Sequence, residues 1–452
     1  MRVARDHCLA PARPVDAPLV GFEGRYGRMF PDLPPLAAND QQLLALGLAG
    51  AACGTGEDDD AVDGGEAAGW PVFGQFIAHD ITADRSPLQA EADPSRLGSF
   101  RSPRANLECL YGAGPGSPYL YRRDDPAAFL TGADDVPRNA EGIALLGDPR
   151  NDVHVLVSQL HLAFLRLHNL FVGRLREDGV PEGDLFDEAR RATMWHYQWV
   201  LVNDFLPRVV GRELVDEALA HGPKNYEVDG GPYIPFEFAD AAYRYGHSQI
   251  RARYKVNAEA GPVPLFPDLV GFQPVPTGLT VDWAFLFDLP GRPPAQRAKR
   301  IDGCLPASLL RLPVSITGAV DVDAYHSLAS RDLQRGRAIG LPSGEAVAGA
   351  IDAEPLTAGE VGLATHGWDG ETPLWFYVLR EADVRGDGDR LGPVGGRIVA
   401  DVLIGILQAD PESFLSVDPD WTPTLAEGDG SAFGIGELLD AVYAHGRTSR
   451  AQ

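Results

Sequence analysis

Apolar residues recur at steps of three and four along much of the chain, a spacing that places them on one face of a helix. The clearest example is residues 151–177, where Leu156, Leu160, Phe164 and Phe171 share such a face. A face of this width is buried against a core, while the polar residues turn towards solvent. The pattern therefore predicts one long amphipathic helix over this segment.

A second apolar stripe follows Trp70–Pro71, and proline is suited to the first turn of a helix. Gln75 and His79 are four positions apart within this stripe, so their side chains project from the same helix face. Similar apolar patterns predict further helices over about 187–210, 237–250, 322–337 and 394–408.

Long proline-rich connections such as 256–298 separate the predicted helices. The chain shows no alternation of strand and helix patterns, which a parallel α/β sheet would require, and no internal repeat. The predicted fold is mainly α, a single large helical domain with long irregular loops and little β structure.

Composition and charge limit the kinds of molecule that the chain is expected to bind. The 452 residues are 44% hydrophobic, which is ample for a core, and carry a net charge of −25. This charge repels nucleic acid and anionic lipid, so we expect neither as a partner. No segment looks long and charge-free enough to span a membrane, and the first residues lack the apolar region of a secretory signal. The sequence does not indicate the oligomeric state.

The four cysteines are scattered along the chain and show neither CxxC spacing nor a disulfide framework. They are Cys8, Cys53, Cys109 and Cys304. This usage predicts a reduced, cytoplasmic setting.

Three histidines recur every seven residues along the longest predicted helix: His154, His161 and His168. Successive members lie about 10 Å apart along the helix axis, because each residue rises about 1.5 Å. One zinc ion cannot reach them together, since its ligands lie about 2 Å from the metal. We expect buried or capping histidines here.

Four short stretches carry the candidate chemistry. They are GQFIAHD (74–80), LLGDPRND (145–152), AAYRYGHSQI (241–250) and RDLQRGRAIGLPSG (331–344). In their order along the chain and in their local amino-acid sequence, they resemble the animal-type haem peroxidases of the peroxidase–cyclooxygenase superfamily, most of all its bacterial members. The resemblance runs from about residue 20 to about 415, which leaves 1–20 as an N-terminal extension and 415–452 as a C-terminal tail.

The resemblance assigns the residues on the peroxide side of the haem. His79 is the expected acid–base, because a histidine can take a proton from one peroxide oxygen and return it to the other. Gln75, one turn earlier, would help to fix the distal water or ligand. Arg150 resembles the family's distal arginine, whose permanent charge stabilises the oxygen that departs.

On the opposite face, His247 resembles the proximal iron ligand. Asp332 occupies a position where the family usually has an asparagine bound to the proximal histidine. An ionised aspartate would pull harder on the ring proton of His247, push electron density onto iron and lower its reduction potential. Arg244 and Arg335 match family positions near the haem propionates.

Two departures bear on how the haem is attached. In mammalian members an aspartate and a glutamate form esters with the haem, and here those positions hold Ala78 and Val153. Neither side chain can form an ester, and Asp152 is only a remote substitute. The sequence therefore predicts a non-covalent haem b and poor oxidation of chloride.

The resemblance also implies a calcium ion, because Asp80 directly follows His79 and a family loop supplies the remaining oxygen ligands. Ser102, Asn106 and Glu108 fall on the side-chain ligand positions of that loop, and the Arg104 carbonyl lies between them. Asn106 and Glu108 are not the residues usual in the family.

The sequence thus predicts a haem peroxidase that reduces H2O2 and oxidises a small donor, either organic (a phenol or aromatic amine) or a halide or pseudohalide. One alternative is a haem-dependent fatty-acid dioxygenase, which uses a tyrosyl radical three residues before the proximal histidine. That position is Arg244 here, with Tyr243 and Tyr245 beside it. A second alternative is a haem-binding protein without catalysis.

Overall fold

The structure is a computed structural model that describes residues 24–54, 62–83, 98–99, 101–112, 114, 119–228, 230–318, 322–426, 430 and 432–449. The N-terminal extension predicted for residues 1–20 and Cys8 lie outside the described residues. Cys53, Cys109 and Cys304 are free thiols.

Helices make up most of the regular structure, which confirms the predicted fold class. The α-helices are α1 (Asp40–Leu46), α2 (Trp70–Ile81), α3 (Glu108–Tyr111), α4 (Val155–Glu177), α5 (Leu185–Val200), α6 (Leu206–Val210), α7 (Arg212–His221), α8 (Phe236–Ala239), α9 (Ala307–Leu310), α10 (Val314–Thr317), α11 (Leu328–Ala338), α12 (Gly344–Ala350), α13 (Ala358–Val361), α14 (Leu374–Arg385), α15 (Pro393–Ala409), α16 (Phe414–Val417) and α17 (Ile435–Ser449). Short 3-10 turns lie at Pro149–Asp152, Ala242–His247, Trp283–Phe285, Asp323–His326 and Leu363–His366.

Short paired strands connect parts of the chain that are distant in sequence. The strands are β1 (Gly24–Gly27), β2 (Asp63–Ala67), β3 (Gly98–Ser99), β4 (Ile234–Pro235), β5 (Arg253–Tyr254), β6 (Val263–Pro264) and β7 (Arg297–Lys299). β1 lies between β3, which is antiparallel to it, and β4, which is parallel to it, with Tyr26 opposite Ile234. β2 pairs with β7 and β5 with β6, both antiparallel.

The core is built around α4, which packs against α2, α5 and α17. Phe164 of α4 stacks on Phe76 of α2 with ring centroids 4.8 Å apart. By length and composition α4 could span a membrane, so the prediction that no segment could do so was wrong on that criterion. However, 83% of its most apolar window is buried inside the protein, as in the core helix of a globular domain.

Four of the predicted helices differ from those in the structure. The segment 237–250 is not one helix but holds α8 and the 3-10 turn Ala242–His247, and 322–337 divides into the 3-10 turn Asp323–His326 and α11. The long helix begins at Val155 rather than at residue 151, because residues 149–152 form a 3-10 turn and His154 caps α4 by accepting from the Val157 N–H. The helix predicted over 187–210 contains a π-helical segment, Leu201–Phe205, between α5 and α6. Pro207 cannot donate to the Asn203 carbonyl, which accepts instead from the Arg212 guanidinium at 2.9 Å.

Part of the predicted C-terminal tail belongs to the packed structure. α17 lies against α4, and its Leu438 and Leu439 are fully buried.

Candidate active site

α2 carries His79 on a half-buried face next to the turn Pro149–Asp152. His79 Nδ1 lies 2.7 Å from Asn151 Oδ1, and Asn151 Nδ2 lies 2.9 Å from His161 Nδ1. A carbonyl oxygen only accepts, so His79 Nδ1 donates its proton to Asn151 and the lone pair of this imidazole is on Nε2. That Nε2 atom has no hydrogen-bond partner among the described residues, which leaves it available to a reactant.

The surroundings of His79 keep its ring neutral. Burial and, to a smaller extent, the positive charge of Arg150 lower the pKa of His79 to about 4, and the hydrogen bond to Asn151 opposes them only in part. A neutral imidazole with a free Nε2 can accept a proton at pH 7.

Gln75 is held one turn before His79 by His154. His154 Nδ1 accepts from the Val157 N–H, so its Nε2 donates to Gln75 Oε1 across 2.6 Å. His154 therefore fixes the orientation of the Gln75 amide. This confirms the expectation of a capping histidine, and His161 and His168 are fully buried as predicted.

Arg150 joins the turn Pro149–Asp152 to the C-terminal end of α2. Its Nη2 donates to the carbonyls of His79 at 2.9 Å and Thr82 at 2.6 Å, and it also pairs with Asp148 at 2.8 Å. A cation is stabilised at a helix C-terminus, where carbonyl groups lack helical partners. The contact places the guanidinium beside the residue that carries the imidazole.

His247 ends the 3-10 turn Ala242–His247, which packs against α2. Its Nδ1 lies 2.6 Å from Asp332 Oδ2, and its Nε2 has no hydrogen-bond partner among the described residues. Asp332 comes from α11 and is fully buried. The turn and α11 thus present one open imidazole nitrogen on a rigid support.

Asp332 is held in its ionised form. Burial alone would raise the pKa of its carboxyl, but His247 and Arg244 outweigh burial and hold that pKa below its usual range. Arg244 Nη1 donates to Asp332 Oδ1 at 2.7 Å and its Nη2 donates to Asp240 at 2.8 Å. Arg335 lies 3.1 Å from the same Asp240 oxygen. The two arginines predicted near propionates are therefore brought together by Asp240.

The predicted calcium ligands are also neighbours, but protein donors already use their oxygens. Asp80 is fully buried, and its two carboxylate oxygens accept from the N–H groups of Leu107 at 2.9 Å and Cys109 at 3.2 Å. Burial raises the pKa of the Asp80 carboxyl to about 7.

Two of the other predicted ligands are engaged in the same way. Glu108 Oε2 accepts from the Ser102 N–H and hydroxyl, and Asn106 Oδ1 accepts from the Glu108 N–H, while the Ser102 hydroxyl acts as a donor to Glu108. The described residues contain no cluster of three or more histidine, cysteine or acidic side chains that could hold a metal ion. The arrangement does not fit calcium.

Comparison with known families identifies the chain. The model of the animal haem peroxidase family matches residues 96–348, more than half of the chain. The chain belongs to this family. The resemblance deduced from the four stretches is confirmed, while the closer likeness to bacterial members stays a prediction.

Curated relatives match over limited segments. The chorion peroxidase of Drosophila melanogaster is 25% identical over 279 residues, which cover 58% of this chain and 34% of that protein. Human lactoperoxidase is 26% identical over 236 residues, which cover 49% of this chain and 30% of that protein. The chain thus spans about a third of the length of these relatives.

Solved structures share the fold over nearly the whole chain. Peroxidase A from Dictyostelium discoideum superposes with a TM-score of 0.65 at 14% identity and covers 93% of this chain and 92% of that one. A fatty acid alpha-dioxygenase from Arabidopsis thaliana superposes with a TM-score of 0.64 at 14% identity and covers 92% of this chain and 77% of that one.

The donor set of this family member fits a haem group. Two histidines come from neighbouring elements, each with Nδ1 anchored and Nε2 open, one beside a neutral amide and the other beside a carboxylate. The second environment suits a histidine that binds iron, and the first suits a neutral acid–base. Asp152 is unsuited to replace the missing ester residues, because Arg138 binds both its oxygens at 2.7 Å.

Several residues that shape the site were not singled out in the sequence. Asn151 and Asp148 flank the predicted Arg150 within the stretch GDPRND, so their position next to a predicted site residue was the available signal. His154 was assigned a capping or buried role, but its contact with Gln75 depends on the packing of α4 on α2. Asp240 and Arg101 carried no motif signal.

Proposed function

We propose that the protein is a haem peroxidase that reduces H2O2 and oxidises small donors, either organic or halide and pseudohalide ions. The observation that carries this proposal is the contrast between His79, kept neutral beside Asn151, and His247, bound to the ionised Asp332. Haem b would be held non-covalently, since Ala78 and Val153 offer no carboxyl group for an ester. When bound, haem supplies the iron that accepts oxidising equivalents from peroxide and passes them to a donor.

The residues on the His79 side would move one proton. Nε2 of His79 takes a proton from the inner oxygen of H2O2 and returns it to the outer oxygen, which leaves as water when the O–O bond breaks. The charge of Arg150 favours the build-up of negative charge on the leaving oxygen. The amide of Gln75, oriented by His154, would hold the peroxide or a water molecule in place.

The residues on the other side would hold the cofactor. His247 Nε2 would bind the iron, and Asp332 would orient the ring and make it a stronger donor. Arg244 and Arg335 match family positions near the propionates and would pair with them there. Phenols, aromatic amines, bromide, iodide and thiocyanate are the donors that we propose.

An absorption experiment tests this function. The haem-loaded protein is mixed with one equivalent of H2O2, and the Soret band is followed in the wild type, in His79→Ala and in His221→Ala, a control at an exposed histidine. We expect a rapid shift in the wild type and the control, slowed about 10²- to 10⁴-fold without His79, because general acid–base catalysis contributes that much.

Other outcomes of this experiment would contradict the proposal. No haem uptake would exclude it, and uptake without any response to peroxide would favour a non-catalytic haem protein. Consumption of O2 with linoleate in the absence of peroxide would favour a dioxygenase. The fold is shared with fatty acid alpha-dioxygenases, but Arg244 in place of a tyrosine favours the peroxidase.

A further inference from the structure

The segment between residues 101 and 111 is fixed to α2 in an unusual conformation. Leu107 has a φ of 59°, a left-handed conformation that disfavours a branched side chain. The N–H groups on either side of this strained point, those of Leu107 and Cys109, both donate to Asp80 of α2. Asp80 therefore performs by hydrogen bonds the bridging that a metal ligand would perform through an ion.

A buried cation lies in this segment, and it belongs to the protein. The side chain of Arg101 is 8% exposed, and its Nη1 donates to Glu108 Oε1 at 3.1 Å. Its Nη2 donates to Asp148 at 2.8 Å and to the Gly147 carbonyl at 3.2 Å, and its Nε donates to Asp148 at 3.2 Å. The five N–H groups of a guanidinium suit such a set of oxygens.

The close approach of two chain segments lets Arg101 reach both carboxylates. A Cβ atom at Gly147 would lie 2.5 Å from the Cys109 carbonyl oxygen, so only glycine allows α3 to pass this near to Asp148. Glu108 and Asp148 therefore face a common positive group. The guanidinium supplies the positive charge that an ion would otherwise provide.

Asp148 extends the network to the reactive residues. Its carboxylate is fully buried between two guanidinium groups, those of Arg101 and Arg150. Arg150 in turn donates to the carbonyl of His79. A change at Arg101 is thus transmitted to Arg150 through a single shared carboxylate.

We propose that Arg101 takes the place of the calcium ion implied by the resemblance and, through Asp148, is a positioning residue for Arg150. The protein then needs no calcium to fold this segment. The first half of this proposal depends only on the fold, and the second half rests on the proposed function.

Calcium content and thermal melting test the first half. The full chain is purified, its calcium is determined by elemental analysis, and its melting temperature is measured with EGTA and with millimolar CaCl2. We expect no stoichiometric calcium and the same melting temperature in both conditions. One calcium ion per chain, or a lower melting temperature in EGTA, would overturn the replacement of calcium by Arg101.

Substitution tests the contribution of the guanidinium. Arg101→Gln removes the cation that Glu108 and the buried Asp148 share, and we expect its melting temperature to fall by about 4 °C. Arg101→Lys keeps the positive charge but loses the paired N–H donors of the guanidinium. Its melting temperature should lie between those of the wild type and Arg101→Gln. Arg122→Gln is the control, because Arg122 is exposed and pairs only with an exposed Asp124. A melting temperature of Arg101→Gln equal to that of the control would contradict the proposal.

Cyanide affinity of the ferric, haem-loaded protein tests the second half. Cyanide binding requires a base to accept its proton and a cation near its charge, so a misplaced Arg150 should weaken it about tenfold. We expect Arg101→Gln to be weakened, Arg101→Lys to recover in part and the Arg122 control to be unchanged. Unchanged cyanide affinity in a destabilised Arg101→Gln would overturn the positioning role. Failure of the proposed function would show separately, as absence of haem uptake in the wild type.

Discussion

The two histidines of the site have the same kind of anchor and opposite partners. His79 Nδ1 lies 2.7 Å from an amide oxygen of Asn151, and His247 Nδ1 lies 2.6 Å from a carboxylate oxygen of Asp332. Both Nε2 atoms lack a hydrogen-bond partner among the described residues. The difference lies in charge: the amide is neutral, while Asp332 is ionised despite its burial.

This contrast shows how one residue type can take two roles. Burial and the positive Arg150 make protonation of His79 unfavourable, and the hydrogen bond to the neutral Asn151 amide only partly offsets them, so the ring can accept a proton and release it at once. Beside a carboxylate, the lone pair of His247 becomes more basic and suits a metal. The partner of each imidazole, rather than the imidazole itself, sets its chemistry.

The largest effect is expected from His247→Ala, which removes the proposed iron ligand. We expect its haem affinity to fall at least about 100-fold, because loss of even a supporting residue costs up to that amount. His79→Ala should retain its affinity within a few fold. Haem titration measures both, and added imidazole should restore the spectrum of His247→Ala alone. An equal loss of haem affinity in the two variants would refute the assignment of His247 as the iron ligand and of His79 as the acid–base.

Asn151→Asp makes the His79 side resemble the His247 side. A carboxylate favours the charged imidazole, so the pKa of His79 should rise from about 4 to about 6. Protonated His79 cannot accept a proton, and the peroxide reaction at pH 5 should therefore slow about tenfold relative to pH 8. The wild type should lose rate only near pH 4.

The pH dependence of the reaction rate provides the measurement for Asn151→Asp. Asn139→Asp is a control at an exposed loop asparagine, whose side-chain oxygen accepts two backbone N–H groups and contacts no histidine among the described residues. If the reaction rate of Asn151→Asp falls at the same acidic pH as that of the wild type, Asn151 does not control the protonation of His79.

Asp332→Asn makes the opposite change beside His247, where an amide replaces the carboxylate. An amide accepts the His247 proton less strongly, so less electron density reaches the iron and the reduction potential should rise by roughly 50 mV. Spectroelectrochemical titration of the haem-loaded protein measures this. An unchanged potential would mean that the carboxylate serves only to hold Arg244.

Arg244→Lys should give a smaller shift of opposite sign. The lysine keeps a positive charge but not the paired donors that bind Asp332 and Asp240. Asp332 then accepts more strongly from His247, and the potential should fall by roughly 20 mV. A rise in potential would show that Arg244 acts on the iron by another route.

Some of these features could be predicted from the sequence. Pro71 and the apolar stripe after it indicated the start of α2, and the spacing of Gln75 and His79 placed both on one face. The resemblance paired Asp332 with His247. These predictions succeeded because each depends on local spacing or on a motif.

The features that could not be predicted depend on contacts between segments that are distant in the sequence. The resemblance implied Ser102, Asn106 and Glu108 as calcium ligands, but it could not show that Arg101 and backbone N–H groups bind the side-chain oxygens of Glu108 and Asn106. The π-helical segment before Pro207 also escaped prediction, because the apolar periodicity continues through it.

The pairing of β1 with β4 has a consequence for how the protein is made. The strand at residues 24–27 has one partner at 98–99 and the other at 234–235, so one edge of it stays unpaired until half of the chain has been synthesised. Contacts of such long sequence separation slow folding and favour populated intermediates. His79 and His247 are separated by a similarly long stretch, so the two sides of the proposed haem site come together only after more than half of the chain has been made.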